Sequence, residues 1–200
     1  TSRPEQVALA KKEMSKYLLS INLLQKQSQL DRHYDNFWLG LDLDTQISFI
    51  NLLRIPKVDD IQIEIKIDSN RAANRICCVL QDHPGIFARL AGAIALLGAN
   101  VVDARTYTTS DGYATAVFWV QKVKNAPFEN RLIEKISKTI KSSLMGEVVP
   151  KNILDEKGKY SRSEREFKVP TTITFDNLGS DIYTIIEVDT RDRIGLIYDL

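Results

Sequence analysis

The chain has 200 residues, 44% of them hydrophobic and 26% charged, and its formal net charge is +1. These values are ordinary for globular proteins and allow one or two domains. The near-zero charge gives no general attraction to nucleic acid or to an anionic membrane, so neither is an expected partner. No run of about 18 apolar residues and no signal peptide is recognised, so we expect a cytoplasmic protein.

The first part of the chain, residues 1–56, predicts a helical connector. Apolar residues recur at three- and four-residue steps from Pro4 to Leu30, which predicts one helix with an apolar stripe. A second helix is predicted from Leu43 or Asp44 to Leu53, with Asp44 as its N-cap, and is the expected partner of that stripe. Trp38, between the two helices, is expected to be buried.

The middle of the chain predicts strands around one helix. Ile61 to Ile67 alternate between apolar and polar residues, which is typical of a half-buried antiparallel strand, and should pair with Arg75 to Gln81. An apolar face predicts a helix from Ile86 to Leu97. Asn100 to Thr108 and Tyr113 to Gln121 are predicted strands joined through an Asp-Gly turn, a strong hairpin signal.

The two cysteines, Cys77 and Cys78, are adjacent in one of these predicted strands. Neighbouring side chains of a strand point to opposite faces, so a disulfide between them is not expected. We expect two buried, reduced thiols. Trp119, in a later strand, is also expected to lie in the core.

The last part of the chain predicts one helix and two strands. An amphipathic helix is expected from Pro127 to Met145. Residues 148–166 are rich in charge and indicate a linker or loop; its lysines and arginines are interleaved with glutamates, which favours a solvated surface over a nucleic-acid patch. Strands are predicted at Phe167 to Phe175, which is expected to complete the first sheet, and at Tyr183 to Asp189.

A shift of 110 residues lays the end of the chain on its middle. Asp82 falls on Asp192 and Gly85 falls on Gly195, so a strand, an Asp-x-x-Gly turn and an apolar helix occur twice. With a fourth strand, the first copy has the split βαβ pattern, an antiparallel sheet with two helices on one face. The sequence therefore predicts an α+β protein built from two copies of one unit.

Several runs carry a family resemblance. Val79 to Phe87 and Leu97 to Arg105 resemble the ACT domain, a module that senses amino acids in metabolic enzymes. Together with Phe118 to Gln121, Ile173 to Asn177 and Arg191 to Leu200, they are similar to the C-terminal tandem ACT region of bifunctional uridylyltransferase/uridylyl-removing enzymes. This resemblance implies the ferredoxin-like βαββαβ fold.

The resemblance also implies a division of the chain. Residues 1–56 would be a connector that follows an absent HD-type domain, residues 57–177 the first ACT domain, and residues 181–200 the start of a truncated second ACT domain. Thr1 to Pro4 do not look like a natural start, and Tyr198 to Leu200 fall inside a pattern that has only begun, so we expect a piece of a longer protein. Pairing between ACT units, within or between chains, is expected because their sheets are open.

The function that the resemblance implies is regulatory. The related enzymes uridylylate the PII signal protein when glutamine is scarce and remove the UMP when it is plentiful, with L-glutamine sensed by the ACT units. Catalysis is expected in a nucleotidyltransferase domain, for which magnesium is implied, and in an HD-type phosphohydrolase domain. No catalytic motif, cofactor site or metal site is predicted here, and Asp42-Leu43-Asp44 is better explained as a helix cap than as a magnesium site.

The candidate ligand-binding residues surround the repeated turn, and are Asp82, His83, Pro84, Gly85, Ile86, Asn100, Asp192 and Gly195. Asp82 would accept hydrogen bonds from an ammonium group, and the N–H groups of Gly85 and Ile86 would donate to a carboxylate. Asn100 would reach a side-chain amide or the backbone of a bound amino acid. In the competing interpretation, Asp82 caps the following helix and Asn100 satisfies a loop.

Three other functions are compatible with the sequence. The ACT region could belong to another amino-acid-responsive enzyme and bind a different ligand. It could be an interaction module whose units pair without any ligand. A self-sufficient enzyme is the third, and the lack of a recognisable nucleophile, metal or phosphate-binding motif argues against it.

Overall fold

The computed structural model describes the chain in seven stretches, residues 2–23, 26–54, 61–121, 130–147, 170–180, 183–190 and 195–200. In chain order they form four helices, two strands, a helix, two strands, a helix, two strands and a short helix. None of the helices in these stretches combines the length and the apolar character needed to cross a membrane.

Four helices form the connector, namely α1 (Arg3–Ser20), α2 (Lys26–Asp31), α3 (Asp35–Gly40) and α4 (Leu43–Arg54). The predicted apolar stripe of α1 is confirmed, because Val7, Met14 and Leu18 are buried. Helix α1 packs against α4, the predicted partner, and also against α3. Trp38 of α3 is buried in the same cluster, as expected.

The predicted single helix from Pro4 to Leu30 is wrong, because the chain turns at Asn22. That residue has a φ of 52°, a left-handed conformation that asparagine tolerates better than most residues. The N–H of Leu23 donates to the carbonyl of Leu18, and the N–H of Asn22 donates to the carbonyl of Leu19. These two bonds are a Schellman ending, which closes α1 after Ser20.

Helix α4 begins where it was predicted, but its cap is Asp42 and not Asp44. Asp42 Oδ1 accepts hydrogen bonds from the backbone N–H and the hydroxyl of Thr45, both at 2.9 Å. Asp44 lies inside the first turn, where its side chain is 87% exposed. Aspartate is favoured both at the cap and in the first turn of a helix, so composition alone does not separate the two positions.

The central sheet has four antiparallel strands in the order β1-β2-β4-β3. Its strands are β1 (Gln62–Asp68), β2 (Ala73–Gln81), β3 (Asn100–Thr108) and β4 (Tyr113–Gln121). Both predicted hairpins, β1–β2 and β3–β4, are confirmed. Helices α5 (Ile86–Leu96) and α6 (Asn130–Leu144) pack together on one face, with Ile94, Ile136 and Ile140 fully buried. The α+β prediction is therefore confirmed.

The prediction that residues 167–175 supply the fourth strand of the central sheet is wrong. The edge position beside β2 is taken by β1, which precedes the unit in sequence. Residues 167–169 lie outside the described part of the chain, and Thr172–Asp176 forms strand β5 of a separate two-stranded sheet with β6 (Ile185–Asp189). Because β1 already fills the edge of β2, the later segment is left to pair with its own neighbour.

The connector helices cover the second face of the central sheet. Cys77, Val79 and Trp119 point to that face and share one apolar cluster with residues of α1, α3 and α4. Cys78 points the other way, into the cluster beneath α5 and α6. Both cysteines are free and buried, as predicted, and burial raises the pKa of each thiol, that of Cys77 to about 12.

Arg75 fixes α4 to the sheet. The residue is 5% exposed and lies on the connector face of β2. Its guanidinium donates to the hydroxyls of Thr45 and Ser48 at 2.9 and 3.1 Å, and Asp42 lies 3.8 Å away. A buried charge needs such partners, so the polar first turn of α4 is matched to one position of the sheet.

The repeat is visible in the strand register. In the β1–β2 hairpin Ile63 pairs with Cys78; in the β5–β6 hairpin Ile173 pairs with Val188, each residue 110 positions later. All five pairs of the second hairpin obey the same shift. The second copy therefore includes β5, so the repeated unit begins one strand earlier than the sequence suggested.

Candidate functional site

The Asp82 turn joins the end of β2 to the start of α5. Asp82, His83, Pro84 and Gly85 are all exposed. Gly85 has a φ of 83°, and a Cβ placed on it would meet no atom within 4 Å. Glycine is therefore required by the backbone conformation and not by crowding. The surface of the turn is open to an incoming molecule.

Asp82 does not cap α5, so this part of the competing interpretation is wrong. The N-cap residue is Gly85, and no side chain caps the first turn. The first bond of the helix runs from the N–H of Arg89 to the carbonyl of Gly85. The preceding N–H groups, those of Phe87 and Ala88, lie at the positive end of the helix dipole, where backbone donors suit an anion.

The N–H of Ile86, predicted to donate to a ligand, is already used within the turn. It donates to the carbonyl of His83 at 3.3 Å, and the Ile86 side chain is buried in the core. His83 is exposed, and its Nδ1 lies 3.2 Å from the carbonyl of Pro84, to which it donates in the protonated tautomer. The anion donors of this turn are therefore displaced by one residue, toward Phe87 and Ala88.

Asp82 is held by the tip of the β3–β4 hairpin. Its N–H donates to the carbonyl of Gly112 at 2.9 Å, and its Oδ2 accepts from the hydroxyl of Thr108 at 2.8 Å. Thr108 did not stand out in the sequence. Strand pairing could have indicated it, because antiparallel β2, β4 and β3 bring the end of β2, the start of β4 and the end of β3 to one edge of the sheet.

Asn100 does not lie near the Asp82 turn of the same unit. It opens β3 and pairs with Gln121, whereas the other end of β3, Thr108, contacts Asp82. At a rise of about 3.4 Å per residue, Asn100 is roughly 27 Å from that end. Within one unit, Asn100 and Asp82 cannot bind the same amino acid.

The second copy reproduces the turn in the part of it that is described. Gly195 has φ and ψ of 81° and 4°, against 83° and 1° at Gly85, and likewise precedes a helix, α7 (Leu196–Asp199). Asp192 lies outside the described residues, so its predicted role stays a prediction. The matching dihedral angles confirm that both glycines begin the same local structure.

A cleft separates the two copies. It has a volume of about 440 Å³ and is lined by Phe87, Ala88, Val101, Val102, Asp103, Ala104, Ile197 and Leu200. Helix α7 packs against α5, and Ile197 and Tyr198 reach the core cluster of the first unit. Because Phe87 and Ala88 line the cleft and no side chain caps the first turn of α5, the cleft offers room for a small molecule beside the start of this helix.

Asp42 and Asp44 do not fit a magnesium site. Asp42 Oδ1 is engaged by Thr45, and the same carboxylate lies 3.8 Å from the guanidinium groups of Arg71 and Arg75. The described part of the chain contains no group of three His, Cys, Asp or Glu side chains arranged for a metal. The Asp42 carboxylate serves the junction between connector and sheet, whereas the Asp44 side chain is 87% exposed.

Comparison with known proteins agrees with this architecture. The ACT domain family matches residues 76–130. The chain is 49% identical over 87% of its length to a bifunctional uridylyltransferase/uridylyl-removing enzyme of Ruegeria pomeroyi and 52% identical over 87% to one of Cereibacter sphaeroides. One from Rhodospirillum rubrum is 30% identical over 98% of the chain.

The matched relatives are much longer than this chain, which covers 20%, 19% and 22% of their respective lengths. No solved structure matches the chain. The matched residues 76–130 begin inside β2 and include the Asp82 turn, α5, β3 and β4. The chain contains an ACT domain at residues 76–130, and over 87% of its length it is similar to a region of bifunctional uridylyltransferase/uridylyl-removing enzymes.

Proposed function

We propose that this chain is the glutamine-responsive regulatory region of a uridylyltransferase/uridylyl-removing enzyme that acts on PII and reports nitrogen status. The observation that carries the proposal is the open turn at Asp82, within a chain that is about half identical to the region of enzymes with that name. We place this sensing in the cytoplasm, where free glutamine and PII would meet the enzyme.

The chemistry of the turn suits a free amino acid. The Asp82 carboxylate can accept from an ammonium group through Oδ1, because Thr108 engages Oδ2. The N–H groups of Phe87 and Ala88 can donate to a carboxylate, which the helix dipole also favours. A zwitterion would thus find opposite partners at the two sides of one turn. This pairing supports an α-amino acid as ligand, and the choice of L-glutamine rests on the enzyme family.

Asn100 can contribute to such a ligand only from another ACT unit, since about 27 Å of β3 separates it from Asp82 within its own unit. We therefore propose that ACT units pair, and that the turn preceding Gly195 offers a second binding site. The packing of α7 against α5 supports contact between units. It also favours the second candidate function, an interaction module that pairs without any ligand.

Catalysis would belong to other parts of the parent enzyme. We propose that uridylyl transfer, with its magnesium, and uridylyl removal take place in nucleotidyltransferase and HD-type domains outside this chain. Glutamine would influence them by binding one arrangement of the ACT units and connector more tightly than another.

A thermal-shift panel of the twenty common amino acids tests the proposal. A ligand that binds only the native state raises the melting temperature, and at 100 times Kd the stabilisation is about 2.7 kcal/mol. We expect L-glutamine to raise Tm by several degrees and D-glutamine to raise it less. A shift with a different amino acid alone would point to another ACT regulator. No shift with any of them, together with a concentration-dependent mass, would point to the interaction module.

A further inference from the structure

We infer that the tip of the β3–β4 hairpin, residues 109–112, transmits ligand binding at the Asp82 turn to the connector through Arg32. This inference rests on the proposed function, since it assigns the route by which the ligand of that site would act. The tip contacts both the Asp82 turn and the connector. It touches the turn through Gly112 and the connector through Ser110 and Asp111.

The first contact lies between the ligand turn and the hairpin. Asp82 receives a hydrogen bond from Thr108 at 2.8 Å and donates one to Gly112 at 2.9 Å, so residues at both ends of the tip hold it. An ammonium group bound at Oδ1 shares this carboxylate with the Thr108 hydroxyl at Oδ2, and its charge pulls the carboxylate toward the ligand. Binding at this carboxylate therefore changes the bonds that position the tip.

The second contact lies between the hairpin and the connector. The N–H of Ser110 donates to the carbonyl of Arg32 at 2.8 Å. The Arg32 guanidinium forms a two-pronged ion pair with Asp111, with Nε 3.3 Å from Oδ1 and Nη2 close to Oδ2. The Arg32 side chain is only 15% exposed. Paired backbone and side-chain bonds fix both the position and the orientation of Arg32.

The third step lies within the connector. The neighbour of Arg32 is His33, a buried residue whose ring stacks on Phe37 at 3.8 Å and meets Trp38 edge-on at 5.7 Å. The carbonyl of His33 also accepts a hydrogen bond from Trp38 Nε1. A displacement of Arg32 must therefore disturb this aromatic cluster, because close-packed rings do not absorb a shift locally. Helix α3, and the helices packed on it, would respond.

Hydrogen exchange measured by mass spectrometry on the full chain tests the route. Two segments are followed with and without saturating L-glutamine, the hairpin (residues 106–114) and the connector turn (residues 28–38). In the wild type we expect glutamine to slow exchange in both segments by about threefold or more. In Asp111→Asn and in Arg32→Gln, we expect the hairpin to remain responsive and the connector turn to lose its response.

Binding is measured in parallel by calorimetry, so that a lost response is not confused with lost ligand. Asp111 and Arg32 are not among the residues that bond to Asp82. Their substitution should therefore change the Kd for glutamine only through the coupling between the ligand site and the connector, by about tenfold at most. The matched control is Asp31→Asn, which removes an exposed carboxylate bonded to Gln27 one residue before Arg32. It should respond like the wild type.

Each outcome separates the route from the proposed function. If the wild type binds no glutamine, the proposed function fails, and the route fails with it. If the wild type binds but only the hairpin responds, the route is overturned while the binding site stands. A connector response of equal size in Asp111→Asn, Arg32→Gln and the wild type would also overturn the route, since the connector would then respond without the Arg32–Asp111 ion pair.

Discussion

His33 is a buried histidine whose ring packs against Phe37 and Trp38. The residue is 4% exposed, and within the described part of the chain its Nε2 has no hydrogen-bond partner. The pKa of His33 is lowered from 6.5 to about 3, chiefly by burial; the charges of Arg32 and Lys11 also lower it, and that of Asp111 raises it. The imidazole is therefore neutral in the folded protein at pH 7 and at pH 5.

This burial predicts an acid-sensitive fold. Between pH 6.5 and about 3 the unfolded chain binds a proton at His33 that the folded chain does not, so stability falls as pH falls. The expected loss from this group is about 2 kcal/mol between pH 7 and pH 5. Urea unfolding at those two pH values measures it. His33→Leu should remove that part of the slope, whereas His83→Gln, a change at the exposed histidine, should retain it.

Asp111 makes the stability of the fold depend on pH in a lower pH range than His33 does. Burial alone would raise the pKa of Asp111, but hydrogen bonds from Arg32 and Thr109 outweigh it and lower the pKa below 3.8. The stability that Asp111 adds is present above its unfolded pKa and is lost as pH falls through the folded value. Its effect therefore begins below about pH 4 and does not overlap with the pH 7 to pH 5 window used for His33.

At the scale of elements, the start of α4 depends on one carboxylate. Asp42 receives two hydrogen bonds from Thr45 and faces Arg75, whereas Asp44 is almost fully exposed. We expect Asp42→Ala to lower the free energy of unfolding by about 1–2 kcal/mol, as loss of an N-cap does. Asp44→Ala should stay within about 0.5 kcal/mol, as surface changes do. Equal effects in chemical denaturation would contradict the assignment of the cap.

The sequence predicted those elements whose formation depends on residues close together in the chain. The β1–β2 and β3–β4 hairpins were predictable because strict alternation and an Asp-Gly turn are local signals. The end of α1 at Ser20 was not, because the apolar residues Ile21, Leu23 and Leu24 continue the helical pattern around Asn22 and hide its left-handed conformation. The partner of β5 was not predictable either. Both β1 and β5 could pair with the free edge of β2, and the sequence does not show which of them does.

The same distinction holds for the candidate site. Gly85 was identified because a strand that ends in Asp-x-x-Gly before an apolar helix needs a left-handed residue, and its repeat at Gly195 reinforced that signal. Thr108 and the hairpin tip were missed because their contacts with Asp82 join segments 26 residues apart and more. Asn100 was assigned to the turn because it starts the strand that follows the helix, and the length of β3 separates the two.

At the scale of the whole molecule, the connector and the central sheet form one folded body. Their shared cluster contains Trp38 from α3 and Trp119 from β4, and each side chain is at most 2% exposed. Arg75 and the pair Arg32–Asp111 add polar contacts at two separate places of the same interface. A flexible linker would show neither a common core nor buried charge, so we expect the connector to move with the sheet.

Unfolding followed by each tryptophan tests that unity. Trp38→Phe leaves Trp119 as the only reporter in the sheet, and Trp119→Phe leaves Trp38 as the only reporter in the connector. Within each variant the fluorescence midpoint in urea should agree with the circular dichroism midpoint within about 0.2 M, as expected for a two-state transition. Midpoints about 1 M or more apart would mean that connector and sheet unfold separately.

Calorimetric titration of the chain with L-glutamine, in the wild type and in Asp82→Ala, tests the binding claim most directly. The Asp44→Ala variant serves as control, since it removes an exposed carboxylate far from the turn in sequence. We predict saturable binding in the wild type and the control, and a loss of about ten- to a hundredfold in Asp82→Ala, as expected when a charged hydrogen bond is removed. Undiminished binding by Asp82→Ala, or no binding by the wild type, would contradict the account.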